Sequence, residues 1–241
     1  MSEPFTPTSL FCAEKLPTTH QNSTGDRKII SIEGNIGSGK STLVEELRKK
    51  FGNNEKVCFL QEPVDIWNTI KDKDGNTMIT KFYADTKKYS FAFQMMAYIS
   101  RLALLREAIE QNYEVIVVER SMFTDKMVFA KMLYDDENIE EVEYQIYNKW
   151  FEEFIKELPP IDIVYVLTSP EVAETRVKKR AREGEIIPLE YLKNCHKYHE
   201  NWLSSETQTY RNKLIIDGNI DTEKNPHMTN VWLDNCEKFI F

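Results

Sequence analysis

Lys28-Ile29-Ile30-Ser31-Ile32-Glu33 runs directly into Gly34-Asn35-Ile36-Gly37-Ser38-Gly39-Lys40-Ser41. Three of the first six residues, Ile29, Ile30 and Ile32, are apolar and β-branched, and the stretch reads as a short strand. The next eight fit G-x-x-x-x-G-K-[ST] without a mismatch, and Leu43, Val44 and Leu47 then share one face of a helix. Strand, glycine-rich turn and helix form the context in which this pattern carries chemistry. Glycines let the backbone curl so that several N–H groups point at one set of phosphate oxygens. The helix that starts there adds the positive end of its dipole. Lys40 is placed to bridge β- and γ-phosphates and the Ser41 hydroxyl to ligate Mg²⁺. Residues Gly34 to Ser41, with Thr42 beside them, are therefore expected to bind ATP or another nucleoside triphosphate.

Outward from this stretch the chain keeps alternating. Val57–Gln61, Val115–Glu119, Ile163–Leu167 and Leu214–Asp217 read as further strands. Helices are expected over Ser90–Gln111, 122–134, 141–158, Glu171–Arg182, from Pro188 to about Tyr210, and over Thr229–Ile240. Strands alternating with helices predict an α/β fold, a parallel sheet covered on both faces. One folded domain is expected over 27–241. Residues 1–26, rich in Ser, Thr, Pro and Asn without a hydrophobic period, are expected to form a mostly disordered tail.

Composition removes other classes. With 241 residues, 41% hydrophobic and 29% charged, the chain is not collagen-like, a coiled coil or wholly disordered. No apolar run approaches the ~18 residues that span a bilayer, so no membrane role is expected. Lys plus Arg is 31 against 39 for Asp plus Glu, a net charge of -8, which argues against a nucleic-acid partner. Cys12, Cys58, Cys195 and Cys236 form no CxxC pair, and the sequence shows no signal peptide. The tail carries Glu3, Glu14 and Asp26 against Lys15, unlike an Arg-rich transit peptide. A cytoplasmic protein with reduced thiols is expected, with nuclear residence left open. Asp72-x-Asp74-Gly75-Asn76 places its glycine too early for a calcium loop and reads as a turn. Cys195, His196 and His199 share one helical stretch without a fourth ligand and read as structural.

Three further features suggest chemistry. Glu119-Arg120-Ser121 sets a carboxylate and a guanidinium at the carboxyl end of a parallel strand, where open α/β sheets bind ligands. Glu119 is a candidate for the metal and Arg120 for the transferring phosphoryl group, the alternative being a strand-end ion pair. Pro63 holds Glu62 extended, so its carboxylate projects off a strand end and is placed to accept a hydroxyl proton; a plain surface Glu is the alternative. Arg176 and Arg180, four apart, share a helix face near Arg182 and suggest a basic lid over phosphates, or else a solvated face.

Taken together these motifs resemble the deoxyribonucleoside kinase family, on its deoxycytidine and deoxyguanosine kinase branch. The similarity runs from about Lys28 to Leu203. It rests on Gly34–Ser41, Glu62-Pro63-Val64, Phe91-Ala92-Phe93-Gln94 leading to Ser100-Arg101, Glu119-Arg120-Ser121 with Asp125, and Arg176 to Arg182. Ile187-Pro188-Leu189-Glu190-Tyr191-Leu192 and His199-Glu200-x-Trp202-Leu203 complete it. The resemblance implies a P-loop kinase fold with a five-stranded parallel sheet and a basic lid. It implies Mg²⁺-assisted transfer from ATP to the 5′-hydroxyl of a deoxynucleoside in nucleotide salvage, by a homodimer. In that scheme Glu62 is the general base, Gln94 pairs with the base edge, Tyr83 binds the 3′-hydroxyl, and Trp67 and Phe123 are pocket walls. Glu119 and Arg120 serve Mg²⁺ and the 5′-oxygen, and Arg176, Arg180 and Arg182 grip the donor phosphates. The lid is one residue short, so counting from the arginines makes Glu185 the glutamate for the 3′-hydroxyl, while counting back from Pro188 reaches Gly184. Asp221 is the candidate for the adenine loop. Ala97, Arg101 and Asp125 match the trio of kinases that accept deoxycytidine and purine deoxynucleosides, so weak thymidine activity is expected. Two rival functions share parts of this pattern: a thymidylate-type monophosphate kinase, in which Arg101 would bind the acceptor phosphate, and a non-catalytic nucleotide switch.

Overall fold

The computed structural model describes residues 27–111, 113–182, 185–204 and 209–241; the expected tail lies outside them. Five strands, β1 (Lys28–Glu33), β2 (Val57–Leu60), β3 (Val115–Glu119), β4 (Ile161–Leu167) and β5 (Lys213–Asp217), form one sheet in the order β2-β3-β1-β4-β5. Every pairing is parallel, so every strand points its carboxyl end at the same edge. The central strands are buried on both faces, and their alternate residues feed two separate cores. Ile30, Ile32, Val117 and Val164 pack with Leu43, Val44 and Leu47 of α1 (Lys40–Phe51) and with Leu233 and Cys236 of α10 (Pro226–Ile240). Ile29, Ile116, Val118 and Ile163 pack with Tyr98, Leu102 and Leu105 of α4 (Thr86–Glu110), Tyr147 and Phe151 of α7 (Glu141–Ile155), and Trp202 of α9 (Leu189–Ser204). Each buried Ile, Val or Leu contributes about 1.5–3 kcal/mol relative to exposure.

The departures from the sequence reading lie beside the carboxyl edge. Two short helices, α2 (Val64–Thr69) and α3 (Met78–Ala84), follow β2, and Thr77 caps the second by accepting from the Thr80 N–H at 3.2 Å. Between them Asp72 accepts from the N–H groups of Asp74 and Asn76 and pairs with Lys81 at 2.6 Å, which makes that stretch a turn. The single helix expected over 122–134 is broken into α5 (Met122–Thr124), a π-helical turn over Asp125–Ala130, and α6 (Lys131–Asp135). The basic helix α8 (Pro170–Arg180) stops short of Arg182 because Ala181 turns left-handed at φ 47°. No helix among the described residues is long and apolar enough to cross a membrane.

Candidate active site

The phosphate loop joins β1 to α1. Gly34, Gly37 and Gly39 take φ values of 145°, 76° and 103°, which L side chains rarely adopt. At Gly37 a Cβ would lie 2.5 Å from the Ala173 carbonyl oxygen, so the glycine also lets α8 touch the loop. Asn35 donates to the Leu192 carbonyl at 2.8 Å and accepts from the Ile36 N–H, which ties the loop to α9. Lys40 lies along the inner side and donates to the Asn35 carbonyl at 2.7 Å. Burial and the nearby Arg120 lower its pKa to about 7. The Ser41 hydroxyl donates to Glu119 Oε1 at 2.7 Å, so two hard oxygens meet at the start of α1.

At the next strand ends, charge is concentrated and buried. Arg120 takes φ 63°, a left-handed conformation that brings its Nη1 to Glu62 Oε1 at 2.7 Å. Arg101, from the middle of α4, donates to the same Glu62 oxygen at 3.2 Å, to the Glu119 carbonyl at 2.9 Å, and through Nε to Asp125 at 3.0 Å. Burial raises the Glu62 pKa, but Arg120, Arg101 and Lys40 outweigh it and hold the carboxyl at about 2. Burial likewise raises Asp125, against the opposing pull of Arg101.

A cavity of about 770 Å³ spans both regions, within the ordinary range for a small-molecule site. At one end it is lined by Ile36 to Thr42, Arg176 and Asp221; at the other by Glu62, Trp67, Tyr83, Gln94, Ala97, Arg101 and Asp125. Glu119, Arg120, Arg180, Arg182 and Glu185 also line it. Among the described residues, Gln94 Oε1 and the Nε and Nη2 of Arg120 are buried without a hydrogen-bond partner. Such groups carry a desolvation penalty of about 1–3 kcal/mol each unless a ligand meets them. One end thus offers an acceptor for a polar edge between apolar walls, and the centre offers donors for an anion.

Several expected residues stand elsewhere or act differently. Gly34 and Asn35 do not line the cavity; they shape the loop from behind. Phe123 is not a wall. It packs edge-on against Phe151 at 5.5 Å from α5 and lines a separate small cavity, while Phe129, on the π turn that follows, lines the main one. The Arg120 guanidinium lies 5.2 Å from the Phe129 ring. Arg176 donates to the carbonyls of Ser38, Gly218 and Ile220, so it binds the phosphate loop to the loop after β5. Glu185 pairs with Arg180 and, at 3.8 Å, with Arg182, and its charge acts on Tyr83, whose hydroxyl burial also holds above its ordinary pKa. Glu183 and Gly184 lie outside the described residues. Sequence reasoning missed Phe129 and Glu33; the buried Glu33 carboxylate accepts four hydrogen bonds beneath the site.

A glycine-rich cradle and lysine at the carboxyl edge of a parallel sheet, open to a walled pocket with a buried carboxylate, define a nucleotide-dependent phosphotransferase. The sequence profile of deoxynucleoside kinases matches residues 30–240. A probable deoxycytidine kinase of fowlpox virus is 35% identical over 203 residues, 83% of this chain and 81% of the viral protein. Rat deoxycytidine kinase is 34% identical over 221 residues, 84% of each chain. Human mitochondrial thymidine kinase 2 is 34% identical over 190 residues, 78% of this chain and 68% of its own. The chain belongs to the deoxynucleoside kinase family, and ATP-dependent phosphorylation of a deoxynucleoside is its activity.

Proposed function

We propose that the enzyme phosphorylates the 5′-hydroxyl of deoxycytidine or purine deoxynucleosides in preference to thymidine. The observation that carries this reading is the pairing, in one cavity, of the unpartnered Gln94 oxygen with the unpartnered donors of Arg120. The nucleoside base lies at Gln94 between Trp67 and Phe129, with Ala97 beneath it. Tyr83 and Glu185 face the sugar. The 5′-hydroxyl lies at Glu62, which is ionised at neutral pH and accepts its hydrogen bond. Its low basicity suits a loose phosphoryl transition state, in which the hydroxyl proton moves late. Arg120 holds the migrating phosphoryl group between Glu62 and the loop, and closure of Arg180 and Arg182 over the donor excludes water. The Ser41 and Glu119 oxygens fit Mg²⁺, which is bound by few protein oxygens and completed by substrate phosphates. The ion would neutralise charge building between the phosphates. Arg101 and Asp125 line the cavity as a fixed ion pair, and set beside the base that pair would crowd a thymine methyl.

The reading extends to a cytoplasmic salvage enzyme and to a homodimer. Ile99 of α4 and Val142, Ile146 and Trp150 of α7 are exposed apolar residues on neighbouring helices, the composition of an interface core. The test is ADP release from Mg-ATP with deoxycytidine, deoxyadenosine, deoxyguanosine, thymidine or thymidine monophosphate, each alone. Turnover with one or more of the first three and little with thymidine is expected. Turnover with thymidine alone discards the Arg101–Asp125 argument, and turnover with the monophosphate alone makes Arg101 a phosphate ligand.

A further inference from the structure

We infer that Glu33 is a positioning residue, whose buried carboxylate locks the left-handed turn that aims Arg120 at Glu62 and the cavity. The inference rests on the phosphotransfer reading above. Glu33 is the last residue of β1, fully buried, and stands immediately before the first glycine of the phosphate loop. It shares a strand face with Ser31, two residues earlier, which donates to Oε1 at 2.6 Å. The same oxygen accepts from the Ser121 N–H at 3.0 Å and the Ser121 hydroxyl at 2.7 Å, and Oε2 accepts from the Thr124 hydroxyl. Three of these four donors belong to the turn that leaves β3.

Arg120 stands between these anchors. Its own N–H donates to the Ile32 carbonyl at 3.1 Å, and the next residue is held twice by Glu33. A long L side chain at φ 63° is disfavoured and persists only where its surroundings over-determine it. Glu33 supplies that determination from the neighbouring strand. The result joins both halves of the chemistry: one residue fixes where the donor loop begins and where the guanidinium that meets the acceptor carboxylate points. No ion pair with Glu33 occurs among the described residues, so this hydrogen-bond set is its structural partner.

The test is a double-mutant cycle of wild type, Glu33→Ala, Arg120→Ala and the double variant, followed by ADP release with the best deoxynucleoside. Glu33→Ala is expected to lower kcat by about 10- to 100-fold, as a misaimed catalytic group does, while the nucleoside KM stays within about three-fold. The acid limb of its kcat/KM profile moves to higher pH, because Glu62 loses the cation that depresses it. In the Arg120→Ala background the same change costs less than about three-fold. Glu33→Gln, whose remaining oxygen still serves Ser121, recovers most of the loss. Additive losses, or Glu33→Ala within about three-fold of wild type, overturn the inference. Should Glu33→Ala melt without cooperativity, Ser31→Ala with Ser121→Ala and Thr124→Val removes the three hydroxyl bonds from the other side and leaves only the Ser121 N–H, and its cycle with Arg120→Ala decides by the same criterion. Wild-type enzyme inactive on every deoxynucleoside would overturn the functional reading instead; active wild type with additive losses overturns this inference alone.

Discussion

The phosphate-loop end of the cavity is shaped chiefly by backbone from one short segment; the other end is assembled from side chains on separate elements. The loop over 34–41 presents N–H groups from consecutive residues, and its glycines set their direction. The acceptor end is assembled from Glu62 after β2, Tyr83 on α3, Gln94 and Arg101 on α4, Arg120 after β3, and Asp125 on the π turn. The first surface is built by neighbours in sequence. The second is a coupled set of buried charges, in which removing one member leaves another without its partner.

The largest test of this contrast is Lys40→Ala, which removes the buried ammonium that lies along the inner side of the loop. It should lower kcat/KM by about 10³-fold or more in an ADP-release assay, with the melting temperature maintained. Melting is spared because a cation whose pKa is depressed by burial opposes folding while it stays charged. Glu62→Gln comes next, at about 10²-fold in kcat with a modest change in nucleoside KM. Turnover within a few-fold of wild type would remove Glu62 as the acceptor of the hydroxyl proton. Gln94→Leu should raise nucleoside KM by about tenfold, leave the ATP KM alone, and leave or raise thermal stability, since an unpartnered buried oxygen is removed. A rise in both KM values would show that the two ends are not separable.

The smallest effect is one of pH. Lys40 titrates near 7 in the free protein, and bound phosphates favour its charged form. Below pH 7 the proton is already in place. Above it, binding must take one up, so triphosphate affinity should fall by up to about tenfold per pH unit. Calorimetry at pH 8 in two buffers of different ionisation enthalpy should show proton uptake. Uptake that is equal at pH 6 and pH 8 would assign the proton to another group.

The same contrast explains what the sequence disclosed. The donor loop was legible because its chemistry is local: eight consecutive residues carry strand end, turn and helix start. Glu62 is legible from the proline that follows it at a strand end, but Gln94, Arg101 and Asp125 are reached only through a resemblance spread over many motifs, since no periodicity links residues on different elements. The resemblance implies a wall at Phe123, whereas the wall residue is Phe129, on the π turn that follows α5. The helices α2 and α3, six and seven residues long, are too short to show a 3.6-residue period. Arg176 was read with its basic neighbours, although its backbone partners come from loops that only the fold brings together. Glu33 does leave a signal: after Lys28, Ser31 and Glu33 are the two polar residues of the strand and stand two apart, so they share one face.

The ion pair of Arg101 and Asp125 is unequal in its support. Arg101 keeps Glu62 and the Glu119 carbonyl if Asp125 is lost, whereas Arg101 is the sole side-chain hydrogen-bond partner of Asp125 among the described residues. Loss of the arginine first would strand a carboxylate in the interior, at a cost of about 3–5 kcal/mol, a large share of a domain's stability. Loss of the aspartate first leaves Arg101 its contacts with Glu62 and the Glu119 carbonyl. A lineage that changes these two positions therefore meets the smaller cost when the acid is replaced before the base.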